Sequence, residues 1–248
     1  MKRISWIASF ILVAVLSTVL LSSCNSDDGY SLGNFQVSFA TVRTTDGGEH
    51  GKWFYLETTS EKLWIAAPLS VSRIPEDGQR VIANYTLLSD KQGEFDHYIR
   101  LNNMRLLETD DVKVLNIGGE DKYGQDKLGY IDDKTPFGGI SLDGNYVNVA
   151  YTRFAYNQKR HELSLIQNLN KTHMEGDDAE FIHLELRYNA FGDVLKEYII
   201  GRASFDIKEL LTPEVLSTKK GVVIHRTNLE GKLDKTTLLF PKNTEVGE

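Results

Sequence analysis

The chain has 248 residues, a formal net charge of −7, a single cysteine and hydrophobic residues at 41% of its positions. This length and apolar content suffice for one large or two small domains with buried cores. The acidic balance makes nucleic acid an unexpected partner, because contacts with phosphate need a basic surface. One cysteine also excludes a framework of intramolecular disulfides.

The N-terminal segment has the pattern of a secretory signal peptide. Lys2 and Arg3 precede a run of apolar and small residues that extends from residue 4 to residue 21. This run is long enough to cross a bilayer, so a retained transmembrane anchor is the alternative interpretation. The residues that follow the run favour cleavage.

The only cysteine, Cys24, directly follows this apolar segment. Together with Leu21, Ser22 and Ser23 it resembles the lipobox of bacterial lipoproteins, in which an aliphatic residue and two small residues precede an invariant cysteine. The resemblance implies that signal peptidase recognises those three residues and cuts before Cys24. It also implies S-diacylglycerol and N-acyl lipid on Cys24 as the only covalent additions, with no other cofactor. Two or three acyl chains hold a protein stably on a membrane.

The polar residues after Cys24 predict where the protein is displayed. Asn25, Ser26, Asp27 and Asp28 resemble the short acidic export signal of surface lipoproteins in Bacteroides-type bacteria. An ordinary solvated tether is the alternative. We expect residues 1–23 to be removed and residues 24–32 to form a lipidated tether. The predicted location is the outer membrane of a Gram-negative bacterium, at the cell surface.

Strand patterns dominate the first half of the mature chain. Phe35, Val37 and Phe39 alternate with smaller or polar residues, which predicts a strand that buries one face. Further short apolar runs, bounded by turn residues, follow at 53–56, 63–66, 81–88, 95–101 and 104–107. Five or six short strands within about eighty residues are typical of a small barrel or sandwich. We assign this domain to residues 33–112.

Residues 113–145 differ in composition and periodicity from the segments on either side. Glycine and charged residues are dense there, and the apolar positions show no period. A compact domain rarely contains so long an irregular loop, so we predict a linker at a domain junction.

Strand patterns resume at Tyr146 and continue towards the C-terminus. In the stretch FIHLELRYN the inward positions are predicted to be Ile182, Leu184, Leu186 and Tyr188, with His183, Glu185 and Arg187 facing outward. Thr212 and Pro213 predict the start of a short helix. Alternation on one face favours antiparallel sheets packed on a core, so residues 146–248 are predicted to form a β-sandwich.

Three stretches, DDGYSLGNFQVSFATV, GQRVIANYTLLSD and FIHLELRYNAFGDV, resemble the NigD-like lipoproteins. The resemblance covers nearly the whole mature chain and implies an all-β protein, with an N-terminal OB-type barrel followed by a C-terminal β-sandwich. It implies no established activity. The family name derives from an association with a bacteriocin gene cluster, which suggests a role in immunity or secretion. Cys24 is the only functional residue that the resemblance supplies.

The remaining candidates are weighed by residue type. OB barrels bind oligosaccharides on one face, and the aromatic residues available for that role are Trp53, Tyr55, Trp64, Tyr85 and Tyr98. Aromatic residues in strands are more often part of a core. Calcium would need oxygen ligands at regular spacing, which the following acids lack: Asp110, Asp111, Glu120, Asp121, Asp126, Asp132 and Asp133.

Zinc and nucleophilic catalysis receive no support from the motifs. His173 and His183 are too far apart in sequence for a typical zinc site. The GISLDG stretch at residues 139–144 lacks the strand-to-helix context of a nucleophile elbow and is interpreted as a turn. We therefore predict neither catalytic nor metal-binding residues.

The function expected is non-catalytic binding or scaffolding at the cell envelope, with a protein or a glycan as partner. Two alternatives stay open: an immunity or secretion accessory of a bacteriocin system, and a glycan-binding or carbohydrate-active protein whose carboxylate pair the sequence does not reveal.

Overall fold

The structure, a computed structural model, consists mainly of β-strands. It describes residues 35–46, 52–67, 74–91, 93–155, 161–171, 179–193 and 197–241. The predicted signal peptide, the lipobox residues with Cys24, the acidic export signal and the tether all lie outside these residues. Within the part of the chain that is described, no helix has the length and apolar character needed to cross a membrane.

The N-terminal domain is a closed barrel of five strands in the order β1-β2-β3-β5-β4. The strands are β1 (Phe35–Asp46), β2 (Lys52–Glu57), β3 (Lys62–Ala67), β4 (Arg80–Ser89) and β5 (His97–Leu106). A parallel pairing of β3 with β5 closes the ring. This confirms the predicted small barrel, and closure leaves each strand with two neighbours.

The first strand is present as predicted, but it buries the opposite face. Phe35 and Val37 are 59% and 42% exposed, whereas Ala40 and Val42 are fully buried inside the barrel. Phe39 instead meets Phe137 of the second domain edge to face, with ring centroids 5.0 Å apart. Small side chains suit the narrow interior of a five-stranded barrel, and alternation alone does not tell which face turns inward.

The C-terminal domain is a sandwich of two sheets around a separate core. One sheet has the strand order β14-β13-β11-β10-β7, and the other has the order β6-β12-β9-β8. The bounds are β6 (Glu108–Asp111), β7 (Lys113–Leu115), β8 (Ile140–Asp143), β9 (Tyr146–Ala155), β10 (Glu162–Asn168), β11 (Phe181–Asn189), β12 (Glu197–Asp206), β13 (Gly221–Thr227) and β14 (Leu233–Leu239).

The predicted inward face of β11 is confirmed, since Ile182, Leu184, Leu186 and Tyr188 all belong to the sandwich core. The predicted helix is also present as α1 (Pro213–Thr218), and the Thr212 side chain accepts a hydrogen bond from the backbone N–H of Val215. A short 3-10 turn precedes it at Lys208–Leu210.

The segment expected to link the domains is instead part of the sandwich. Residues 113–145 contribute β7 and β8 at sheet edges, and the side chain of Leu128, 1% exposed, lies in the core. These strands have three and four residues, too few for a period to show. The sheets are also mixed, because β6, β7 and β13 each pair in parallel with a neighbour.

A buried arginine joins the two domains. Arg80, 2% exposed, directs Nη2 to Oδ2 of Asp143 at 2.5 Å and donates from Nη1 to Oγ1 of Thr41 at 3.1 Å. Its guanidinium lies 4.1 Å from the ring centroid of Tyr146. Asp143 comes from the GISLDG stretch, which forms β8 and the start of a hairpin instead of a turn alone.

Candidate functional site: an open cleft at one edge of the sandwich

The sandwich is incomplete along one edge, because its two edge strands cover only part of their neighbours. β6 pairs with β12 at residues 203–206, and β7 pairs with β10 at residues 166–168. A single residue, Val112, separates β6 from β7, so the two edges lie side by side. In the described part of the chain, no strand pairs on this side with residues 199–202 of β12.

A cleft of about 630 Å³ opens between the two sheets at this edge. Leu163 and Phe205 form part of its apolar wall, and charged side chains surround them. Those charged residues are Glu108, Asp110, Lys113, Arg153 and Glu162. Both the volume and the mixture of an apolar wall with a few polar groups are typical of binding pockets.

Most of the charged groups in the cleft already have partners. Lys113 Nζ lies 3.0 Å from Asp110 Oδ2 and 3.0 Å from Glu162 Oε1. Burial alone would lower the pKa of Lys113, but the hydrogen bonds to these two carboxylates raise it overall. Lys113 is therefore held as a cation that offsets part of the negative charge of Asp110 and Glu162.

Glu108 is bonded by a tyrosine from β9, which lies beyond β12 in the same sheet. The Tyr151 hydroxyl donates to Glu108 Oε2 at 3.0 Å, and burial, followed by the nearby Glu108 charge, raises the pKa of Tyr151. The Tyr151 ring lies against the backbone of Gly201, where an added Cβ would come within 2.4 Å of Tyr151 Cζ. Glycine is needed there because a larger residue would displace the ring.

Arg153 differs from the other charged residues of the cleft. On β9, Val147, Val149 and Tyr151 point into the core, and alternation places Arg153 on the same inward face. Its Nε is buried, and among the described residues it has no hydrogen-bond partner. The positive charge still acts on its surroundings, because it opposes the rise in the pKa values of Tyr151 and Tyr188. Arg153 is thus a half-buried cation directed into an open cleft.

A buried chain of three side chains fixes the inner end of the cleft. His161 Nε2 lies 3.0 Å from Asp193 Oδ2, and its Nδ1 contacts the hydroxyl of Tyr188. A neutral His161 satisfies both contacts when Nε2–H donates to Asp193 and Tyr188 donates to Nδ1. Burial raises the pKa of Tyr188 to about 12, so its hydroxyl stays protonated. This arrangement holds the start of β10 against the end of β11.

A second depression, of about 100 Å³, lies on the outer face of the five-stranded sheet. Glu185 accepts a hydrogen bond from Nε of Arg187 at 2.6 Å and pairs with Lys171 Nζ at 2.6 Å. Arg187 also pairs with Asp121, so that two carboxylates balance these two cations, which makes the depression a weaker binding candidate than the cleft. His183 and His225 stack on this face with ring centroids 5.3 Å apart.

Of the aromatic residues suggested for glycan binding, Tyr85 is buried, and Trp53, Tyr55 and Trp64 pack against phenylalanines of the barrel. Tyr85 is 5% exposed and belongs to the barrel core. Tyr55 and Trp64 both contact Phe95, with ring centroids 5.3 Å and 4.9 Å apart, and are half-buried. Mutual packing of this kind uses ring surface that a sugar platform would leave exposed.

The acids considered for calcium have separate local roles. Asp126 accepts a hydrogen bond from the backbone N–H of Ala190, and Asp132 accepts one from the Thr135 hydroxyl. Over the residues that the structure describes, no group of three or more His, Cys, Asp or Glu side chains is arranged to hold a metal ion.

Sequence reasoning missed Arg153, His161 and Asp193. A signal for Arg153 was present: it interrupts the inward series of β9, where an apolar residue is expected. His161 and Asp193 gave no such signal, because they lie just outside strands and meet only through the β10–β11 pairing.

Comparison with protein families matches both halves of the chain. The NigD-like N-terminal OB domain matches residues 39–107, and the NigD-like C-terminal beta sandwich domain matches residues 111–240. The second of these covers more than half of the chain and includes every cleft residue discussed above except Glu108 and Asp110. The search of curated proteins gave no significant match.

Solved structures with a similar fold come from several Bacteroides species. A protein of unknown function from Bacteroides vulgatus ATCC 8482 is 25% identical, with a TM-score of 0.68 over 86% of this chain and 93% of that chain. A provisionally named lipoprotein from Bacteroides fragilis NCTC 9343 is 11% identical, with a TM-score of 0.62 over 84% and 99%. A NigD-like immunity protein from Bacteroides caccae ATCC 43185 is 17% identical, with a TM-score of 0.55 over 84% and 94%.

Proposed function

The chain belongs to the NigD-like family, and from this premise we propose that it is a lipoprotein of the bacterial outer membrane that binds a protein partner through the open cleft of its sandwich domain. Lipid on Cys24 anchors it, and the acidic residues that follow direct it to the cell surface. It acts by binding or scaffolding, without catalysis. The name of the similar Bacteroides fragilis protein supports the lipoprotein assignment.

The observation that carries the proposal is Arg153. Placing a cation inside a sandwich without a partner costs free energy, because the charge loses hydration and receives no compensating bond. A partner that brings a carboxylate to the cleft would supply that bond. The other charged side chains of the cleft already have partners, either one another or the Tyr151 hydroxyl, which favours a recognition surface over a set of groups poised for proton transfer.

Site-specific photocrosslinking in living cells tests this function. p-Benzoylphenylalanine replaces Phe191, which lines the cleft and is 51% exposed. The matched control replaces Leu239, which is 66% exposed on β14 at the opposite edge of the five-stranded sheet. We expect a protein adduct from position 191 that Arg153→Gln weakens, and none from position 239. A carbohydrate adduct, equal adducts from both positions, or none would contradict the proposal.

Anchoring and display are tested separately by protease shaving of intact cells. We expect the wild type to be degraded, an Asp27→Ala/Asp28→Ala variant to be protected inside the cell, and Cys24→Ala to leave the membrane fraction. Protection of the wild type in intact cells would instead place the protein on the periplasmic side.

A second candidate is immunity to, or secretion of, a bacteriocin. It is favoured by the fold shared with the Bacteroides caccae protein that is named as a NigD-like immunity protein. In this case the partner in the cleft would be a toxin or a component of its export. Deletion of the gene should then sensitise cells to toxin from a sibling strain, whereas unchanged killing would eliminate this candidate.

A further inference from the structure

We propose that the cleft takes an extended peptide segment of the partner, which adds as a strand to β12 along residues 199–202 and places an acidic side chain on Arg153. This deepens the proposed function and rests on it. The argument combines an available strand edge, a cation beside that edge and an apolar wall below it.

The edge of β12 is available for pairing. β9 pairs with β12 along residues 197–206, whereas β6 covers only residues 203–206 on the other side. Because N–H and C=O groups alternate in direction along a strand, every second residue of 199–202 turns its backbone polar groups away from β9. Such groups are a template for an incoming strand.

The first two side chains of this edge are apolar, and its one charged residue, Arg202, is turned to the hydroxyl of Thr135 and the backbone carbonyl of Phe137. Ile199 and Ile200 are 36% and 42% exposed, and neither lysine nor proline occurs among residues 199–202. Proteins commonly protect open edges with charges, prolines or short strands. An unprotected apolar edge beside a cleft is typical of a surface that a partner covers.

Arg153 lies beside this edge in the register of the sheet. It is directly opposite Ile199 in the β9–β12 pairing, and both alternate onto the inward face. A strand added to β12 would lie about 10 Å from β9, which is twice the usual spacing between strands. An arginine and a glutamate or aspartate together span that distance, and the added strand would therefore bring an acidic side chain to the guanidinium.

The walls of the cleft indicate which side chains the other positions of the peptide would carry. Inward positions of the peptide would meet Leu163 and Phe205, which favour apolar side chains. Outward positions would face water and favour polar ones. The expected ligand is therefore an extended segment with alternating apolar and polar residues and one inward Asp or Glu.

Selection from a phage-displayed library of linear twelve-residue peptides tests this inference. The target is the mature chain with Cys24→Ala, which carries no lipid. We expect enrichment of alternating sequences that contain an acidic residue. Arg153→Gln should weaken binding of a selected synthetic peptide about tenfold or more, while Lys235→Gln, at an exposed position on β14 at the far edge of the five-stranded sheet, should leave it unchanged. Matching thermal melts establish that both variants fold.

N-methylation of the selected peptide separates strand addition from other modes of binding. Methyl groups on alternate amides should abolish binding in one register and spare it in the other. On binding, the amides of residues 199–202 should exchange hydrogen more slowly. Binding that ignores N-methylation in both registers, that survives Arg153→Gln, or that is never enriched overturns the inference.

Two other occupants would also overturn it. If deletion of residues 25–34 accelerates exchange at residues 199–202, the chain's own tether fills the edge. If the protein is a dimer that Ile200→Lys dissociates, a second copy does. The proposed function is tested separately from strand addition. A protein adduct at position 191 in cells, together with a negative peptide experiment, would support protein binding and reject strand addition.

Discussion

The barrel and the sandwich differ in how completely their strand edges are paired. In the barrel every strand has two neighbours, since β3 and β5 pair to close the ring. In the sandwich, β6 and β7 are short and leave parts of β12 and β10 uncovered. A closed barrel completes its backbone hydrogen bonds internally, whereas a partly covered sandwich retains a surface on which another chain can complete them.

The same contrast appears in two arginines. Arg80 of the barrel is buried against Asp143, Thr41 and the Tyr146 ring, and its contacts join the domains. Arg153 of the sandwich lines the open cleft, its buried Nε has no hydrogen-bond partner among the described residues, and no ion pair there compares with that of Arg80 and Asp143. One arginine is part of the fold, and the other is available to a ligand. Four experiments test the contrast between the closed barrel and the open edge of the sandwich.

A large effect is expected at the domain contact. Asp143→Ala leaves the guanidinium of Arg80 buried without its carboxylate, and removing one member of a buried pair costs about 3 kcal/mol or more. Arg80→Met should cost less, because the Asp143 carboxylate that it leaves unpaired is only partly buried and can be hydrated. Urea denaturation measures both, with exposed Asp133→Ala as the control. Equal effects of Asp143→Ala and Asp133→Ala would show that the pair does not hold the domains together.

The second experiment compares core phenylalanines of the two domains. Phe54 is fully buried inside the barrel, and Phe205, 1% exposed, lines the cleft of the sandwich. Truncation to alanine should cost about 4 kcal/mol at Phe54 and about 3 kcal/mol at Phe205, because residues beside an open cleft relax more easily into the vacated space. A larger loss for Phe205→Ala than for Phe54→Ala would mean that the cleft is as rigid as the barrel interior.

The main architecture could be predicted because long strands carry a clear period. The inward face of β11 and the Thr212 cap of α1 were correct, as were the separate all-β halves. The edge strands β7 and β8 escaped prediction because three or four residues among glycines and charges show no period. The reversed face of β1 has a different cause: both of its faces carry apolar residues, and contact with the second domain decides between them.

The cleft could be predicted only in part, because it arises from where pairing stops. No local pattern specifies that β6 begins opposite Ala203 or that β7 begins beside Ile166. The contact between His161 and Asp193 depends on the same long-range pairing. Among these residues, only Arg153 could be recognised from the sequence, as a charged residue at an inward position of a strand.

The third experiment concerns the buried chain that closes the inner end of the cleft. Tyr188→Phe removes a hydrogen bond to His161 and should cost about 1 kcal/mol at neutral pH. Because the folded-state pKa of Tyr188 is raised to about 12, the stability that this tyrosine contributes is present below pH 10 and is lost as the pH rises towards 12. The wild type should therefore lose about 2 kcal/mol more than Tyr188→Phe over this range. Parallel alkaline curves in urea would contradict a protonated, buried Tyr188.

The smallest effect on stability is expected at Arg153. Arg153→Leu replaces a half-buried, unpartnered cation with an apolar residue on the inward face of β9. The free energy of unfolding should change by less than about 0.5 kcal/mol or should rise, because no bond is lost and the desolvation cost disappears. Arg80→Leu, measured beside it by urea denaturation, should destabilise the protein by about 2 kcal/mol or more, since buried Asp143 and Thr41 contacts are lost. A loss of comparable size at Arg153 would show that this arginine supports the fold, and it would remove the reason for assigning it to a ligand.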